Sequence, residues 1–390
     1  MSHRVWLAVG LACAVSACGD NADPAAFDAA PDDEIVINPP RTAYDEWQKV
    51  ELPGTVCGNN TQYKFFVNYS DKSDSLVVVL EPGGACWDYD SCAGKNGIRG
   101  AANPNGITDD HYAQAPFISP FLDRNNDDNP AKNWNMIYVP YCTGDVHTGN
   151  NVVTYKDETG GNPDLEFHHA GHANMLKVTS WIDEQFTHVP RLLVTGCSAG
   201  GAGAITNYYF LRKGIKNAHK GYLLDDSGPI FPSSGYSAML HTKIRASWNL
   251  DSLQPEMPAG FTLDDMGSIN TALADQFPDD RLATTFFERD FNYSLYSYER
   301  FFNFPPKADI MAMWASDTKL LTDLYATRGN LFYFLPYWRN LNSSHCTTVI
   351  TMDHSDIEAQ NLTLAGWVGD LVSDRPIHSA IEAPVPGEDP

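Results

Sequence analysis

The 390-residue sequence predicts a doubly wound α/β protein, with a mostly parallel sheet and helical insertions. Three observations point there. Unbroken apolar runs recur along the chain, as buried parallel strands require. Segments with helical periodicity lie between them. One glycine-rich turn, "VTGCSAGGAGA" (194–204), joins such a run to such a segment.

In chain order the expected strands are "YKFFVNY" (63–69), "SLVVVLE" (75–81), "MIYVPYC" (136–142), "RLLVTGC" (191–197), "GYLLDDS" (221–227), "DIMAMWAS" (309–316) and "NLFYFL" (330–335). The expected helices are "HANMLKVTSWIDEQF" (172–186), "GAITNYYFLRKGI" (203–215) and "DIEAQNLTLAGWVGDLV" (356–372). No internal repeat interrupts the alternation. Apolar residues make up 43% of the chain, enough for one large core.

The amino terminus reads as a sorting signal, residues 1–17. It has Arg4, then an apolar stretch from Val5 to Val15 that is too short to span a bilayer. "VSAC" (15–18) resembles a bacterial lipobox, which makes Cys18 the expected lipidation site; ordinary cleavage near Ala17 is the alternative. Residues 18–45, rich in Ala, Pro and Asp, are expected to form a flexible acidic tether. A single catalytic domain should then occupy 46–380. The formal charge of −23 argues against nucleic acid as a partner. Contact with a membrane is expected only through the lipid anchor, and the chain is expected to be a monomer.

The turn at 194–204 contains Gly196-Cys197-Ser198-Ala199-Gly200, which fits G-x-S-x-G. Strand, sharp turn and helix with Ser at the tip make the nucleophile elbow of the α/β-hydrolase fold. A serine nucleophile needs a histidine base and an acid that orients it, in the chain order Ser, Asp, His. Asp317, directly after the run 309–316, is the expected acid, and His345 in "LNSSHCTT" the expected base. Asp226 and His354 are the reserves. Asp226 otherwise reads as a turn cap near the site that accepts backbone N–H bonds. Two backbone donors must face the developing oxyanion. Ala199 should supply one, and Gly84 and Ala85 in "LEPGGACWD" the other.

Other features carry weaker signals. In "FHHAGH", His168 and His172 lie four apart with Glu166 nearby, a metal-like spacing. No H-E-x-x-H is present, so these residues are expected to begin a helix, and neither a metal nor a cofactor is expected. "FFERDFNYSLYSYERFFNF" (286–304) could line an acyl pocket or stack on sugars, but reads first as the packed core of a helical insertion. With Cys13 in the signal and Cys18 at the lipid site, six cysteines remain, and in an oxidising compartment some should pair.

"LEPGGACWDYDSC", "IYVPYCTGDVHTG", "VTGCSAGGAGA", "LDDSGPIF", "MWASDTKLL" and "SSHCTT" occur in this order. Together they resemble the pectin acetylesterase family, which includes the animal carboxylesterase Notum, over roughly residues 50 to 372. The resemblance implies a metal-free serine esterase of the α/β-hydrolase fold, with Ser198, Asp317 and His345 as triad and Gly84, Ala85 and Ala199 as oxyanion donors. It also implies the pairs Cys57–Cys142 and Cys86–Cys92. The chain departs from the family pattern in having Ala85 where many members have Trp, and in placing Cys346 directly after His345. Cys197 and Cys346 are expected as free thiols, with a bond between them as the alternative.

The function expected is that of an exported esterase that removes short acyl groups, acetyl first, from a polysaccharide or other ester. A serine peptidase or amidase on the same fold, or a non-catalytic polysaccharide-binding lipoprotein, are the alternatives.

Overall fold

The computed structural model describes residues 37–95, 100 and 102–384. The expected signal, the lipobox and Cys18 lie outside them. Eleven strands and nine α-helices follow in chain order among the described residues. The strands are β1 (Trp47–Val56), β2 (Gln62–Asn68), β3 (Leu76–Leu80), β4 (Asn135–Val139), β5 (Asn151–Tyr155), β6 (Leu165–His169), β7 (Val189–Cys197), β8 (Ala218–Asp226), β9 (Arg281–Thr285), β10 (Leu331–Leu335) and β11 (Ala380–Ile381). The helices are α1 (Tyr89–Cys92), α2 (Ala115–Ile118), α3 (Gly171–Gln185), α4 (Ala199–Gly214), α5 (Ala238–Ser247), α6 (Ser268–Gln276), α7 (Phe291–Tyr298), α8 (Lys307–Tyr325) and α9 (Leu364–Val372).

One sheet of nine strands has the order β1-β2-β4-β3-β7-β8-β9-β10-β11. β1, β2 and β4 pair antiparallel; from β4 to β11 every pair is parallel. The apolar runs predict the central strands because both faces of the sheet are covered: every residue of β3 and β4 is buried. β5 and β6 form a separate antiparallel pair.

Several segments depart from the sequence-based expectation. "DIMAMWAS" is not a strand but the first half of α8. Its buried residues, Ile310, Met311, Met313, Trp314, Asp317, Thr318, Leu321 and Tyr325, recur at helical spacing, and Pro306 precedes the first turn. A short apolar run cannot by itself be told from a buried helical segment. Of the strands missing from the prediction, β1, β5, β6, β9 and β11, one is interior to the nine-stranded sheet: β9, "RLATT". It is central yet half polar, because its threonines are satisfied inside: Thr284 Oγ1 donates to Asp225 and Thr285 Oγ1 to the Phe334 carbonyl.

Residues 37–45, expected as the end of the tether, make contacts with the domain. Asn38 bonds Asp74 and donates from Nδ2 to the His188 carbonyl at 2.7 Å. The Arg41 guanidinium stacks 4.4 Å from the Tyr69 ring centroid, and Asp45 N–H bonds the Tyr69 carbonyl. Residues 37–45 are therefore laid along the domain. At the other end Glu382 is buried and paired with Arg339, so the packed unit continues past residue 380. Among the described residues no helix is long and apolar enough to cross a membrane.

Candidate active site

β7 ends in Cys197 and α4 begins at Ala199, so Ser198 stands alone at the turn. Its backbone has φ 56° and ψ −120°, a region costly for a side-chain-bearing residue and typical of a strained elbow. The glycines exist for close approach. A Cβ on Gly200 would stand 2.0 Å from the Leu80 carbonyl oxygen at the end of β3, and one on Gly201 would meet Asp225 at 2.4 Å. Ser198 N–H bonds the Asp226 carbonyl at 2.8 Å, which holds the elbow against β8. The start of α4 presents unpaired N–H groups and the positive end of the helix dipole.

Ser198, Ala199, Gly83, Gly84 and Ala85 line one cavity of about 580 Å³ together with His345. Gly83 and Gly84 have φ +151° and +76°, which lets the loop after β3 turn its backbone toward the elbow. His147 Nε2 holds that loop through the Glu81 carbonyl at 3.0 Å. Burial lowers the His147 pKa to about 4, so the imidazole is neutral there. The other walls are largely apolar, with Trp87, Ile230, Leu240, Ile244, Trp248 and Met266 among them. Several of these form an apolar cluster separate from the sheet core.

The acid facing His345 is not Asp317. His345 Nδ1 lies 2.8 Å from Asp290 Oδ2, and both side chains are buried. Asp290 follows β9 by five residues and caps α7, its Oδ1 accepting from the N–H groups of Asn292 and Tyr293 at 3.0 and 2.8 Å. Burial raises the Asp290 pKa, and the charge and hydrogen bond of His345 pull it back. Asp317 instead lies on α8, where it braces a loop. Its oxygens accept from Tyr236 N–H, Ser237 N–H and the Tyr298 hydroxyl. Once residues 309–316 are helical, Asp317 no longer sits at a strand end, and the carboxylate paired with His345 comes from the loop after β9.

Asp226 is the turn cap expected of it. Its two oxygens accept the N–H and hydroxyl groups of Thr347 and Thr348, two and three residues after His345. His354 is partly buried, with Nε2 3.4 Å from the Cys346 carbonyl and its ring beside Phe287. The 286–304 segment serves both readings: Phe286 and Tyr298 are core, while Tyr293 and Tyr296 line the cavity.

Cys57–Cys142 and Cys86–Cys92 are disulfides. Cys197 and Cys346, expected as thiols, are bonded to each other, with Cα atoms 5.6 Å apart. His168 and His172 do not share a helix face. His168 is on β6, 3.3 Å from Glu166, while His172 is on α3, 3.5 Å from Glu256. Among the described residues two side-chain groups have ligand atoms close enough to hold a metal, Cys86/Cys92/His169 and Cys197/His345/Cys346. In both, the cysteines are disulfide-bonded and offer no thiolate.

A parallel sheet with a serine elbow at its C-terminal edge puts the protein among α/β-hydrolase-like folds. The Pectinacetylesterase family model matches residues 46–277, and the chain belongs to that family. Pectin acetylesterase 4 of Arabidopsis thaliana is 28% identical over 171 residues, 42% of this chain and 38% of that protein. The palmitoleoyl-protein carboxylesterase NOTUM of Drosophila melanogaster is 24% identical over 211 residues, 51% of this chain and 30% of that protein. The matched part thus spans well under half the length of these relatives. The structure of the Wnt deacylase Notum from Drosophila aligns with a TM-score of 0.58 at 17% identity, covering 87% of this chain and 97% of that one. At that identity the likeness is one of fold.

Proposed function

We propose that this protein is an exported serine esterase that hydrolyses O-acyl esters through Ser198, His345 and Asp290. The observation that carries the reading is that Ser198 and His345 line one cavity while the far nitrogen of His345 pairs with buried Asp290. Asp290 fixes the tautomer with the proton on Nδ1, leaving Nε2 to accept the Ser198 proton as Oγ attacks the ester carbonyl. The N–H groups of Ala199, Gly84 and Ala85 receive the developing oxyanion. His345 then protonates the leaving alcohol, and a water activated by the same nitrogen releases the acid from the acyl-enzyme.

The acyl group is read as longer than the acetyl expected from sequence. The relatives are named for removing groups as different as acetyl and palmitoleoyl. Here the cavity, about 580 Å³ and walled by Trp87, Trp248, Leu240 and Met266, lies in the range of roughly 300–1,000 Å³ that holds whole small ligands. An acetyl group would leave most of that apolar wall uncovered. The alcohol half is read as a hydroxyl-bearing polymer such as a polysaccharide, by analogy with the plant relatives. Export and lipid anchoring at Cys18 rest on the N-terminal sequence alone.

The test is kcat/KM on p-nitrophenyl esters from acetyl to decanoyl, beside Ser198→Ala. The variant should lose on the order of 10³-fold or more in kcat, keeping only oxyanion and binding contributions. The wild-type values should climb beyond acetyl, each buried CH₂ adding up to about 0.8 kcal/mol. A maximum at acetyl would return the site to the short-acyl reading, and an active Ser198→Ala would remove the esterase reading.

A further inference from the structure

We infer that the Cys197–Cys346 disulfide is a positioning strut, which holds the loop carrying His345 in register with the Ser198 elbow; this rests on the esterase reading above. One cysteine immediately precedes Ser198 and the other immediately follows His345, although they are 149 residues apart in sequence. The bond therefore joins the neighbour of one reacting group to the neighbour of the other.

The loop between β10 and α9 needs such a tie. Between β10 and residue 352 it contains no helix or strand. Asn342, Ser343, Ser344, Cys346 and Ile350 all have positive φ, from 49° to 67°, a conformation that does not hold itself in non-glycine residues. Polar anchors reach it from α7, where Phe291 N–H donates to the Ser343 carbonyl, and from the end of β8, where Ser227 Oγ accepts from Cys346 N–H at 3.1 Å and Asp226 accepts from Thr347 and Thr348; none of them comes from β7. The latter fix the loop after His345 relative to β8. Asp290 fixes the imidazole ring relative to α7. The disulfide starts from Cys197, the last residue of β7, and so refers the base directly to the strand that presents the nucleophile. Both sulfur-bearing residues are buried, and Cys346 lines the cavity beside His345.

Cys57–Cys142 provides a matched control. It too closes a long loop, its cysteines 85 positions apart, so its loss should relax the unfolded chain to a similar degree. It is not next to either reacting group.

The experiment compares the double variants Cys197→Ala/Cys346→Ala and Cys57→Ala/Cys142→Ala with wild type, each shown to be folded by circular dichroism. The readouts are kcat and KM on one p-nitrophenyl ester, and the rate of labelling by a fluorophosphonate. Losing the strut should lower kcat and labelling roughly 10- to 100-fold, the cost of about an ångström of misplacement, with KM within about threefold. Losing the control bond should lower Tm but leave kcat within about twofold. Should the alanine pair fold poorly, Cys197→Ser/Cys346→Ser is read by labelling, which needs little protein. A folded strut variant with wild-type kcat, or equal kcat losses in both pairs, overturns the inference. Ser198→Ala in parallel separates the two readings: if it is inactive, a wild-type kcat in the strut variant overturns only the strut.

Discussion

Replacing Asp290 by Asn separates the acid seen in the structure from the one expected from sequence. Oδ1 accepts from Asn292 and Tyr293 N–H, so an asparagine oxygen in that place keeps the cap of α7. The other position, 2.8 Å from His345 Nδ1, becomes an N–H₂ donor. It can be satisfied only if Nδ1 is an acceptor, which moves the ring proton to Nε2 and removes the lone pair that takes the Ser198 proton. The same exchange in serine proteases costs about 10⁴-fold in kcat, and a loss of roughly 10³- to 10⁴-fold is expected here. Asp317→Asn makes the counterpart. All its contacts are donors, from Tyr236 N–H, Ser237 N–H and the Tyr298 hydroxyl, so an N–H₂ group there meets another donor. That should cost about 1–3 kcal/mol of stability with kcat kept within a few-fold. The assay is kcat on a p-nitrophenyl ester, with urea denaturation for stability. An active Asp290→Asn beside a folded, inactive Asp317→Asn would refute the reasoning.

Three further outcomes are expected. Asp225, buried behind the elbow, has its pKa raised to about 8, by burial first and then by the charge of Asp226, while Thr284 and Gly228 N–H pull it down. The folded form thus keeps a proton that the unfolded chain has lost, so stability is fully present below the unfolded value and declines as pH rises toward 8. Asp225→Asn should flatten that slope, by at most about 1.4 kcal/mol per pH unit, in urea midpoints at pH 5 and 8; an unchanged slope would count against the buried proton. Gly200→Ala should destabilise by about 3 kcal/mol, since its Cβ would overlap the Leu80 carbonyl, and thermal melting at wild-type temperature would show that the elbow has room to spare. Ala85→Trp should fill part of the cavity and depress decanoyl turnover more than acetyl; equal effects would place the acyl chain elsewhere.

The sequence by itself determined the architecture and the turn that carries Ser198. Apolar runs such as "LVVVL" mark β3, and glycine spacing around Ser198 marks the elbow, because both signals are local: a buried strand must be apolar on both faces, and a strained turn must lack side chains. Order along the chain pointed to His345, which lines the cavity with Ser198 and, unlike the other lining histidine His241, pairs with a buried carboxylate, Asp290. What only the tertiary structure decided was the partner of that histidine. Asp290 and Asp317 both follow plausible elements, and α8 looks like a strand over eight residues because an apolar run has no period of its own. β9 hides for the converse reason. Its Thr284 and Thr285 hydroxyls are satisfied by Asp225 and the Phe334 carbonyl, so a central strand carries polar residues that read as surface. The bond between Cys197 and Cys346 was equally out of reach: pairing depends on the distance between chain positions 149 residues apart, which the fold sets and spacing does not encode.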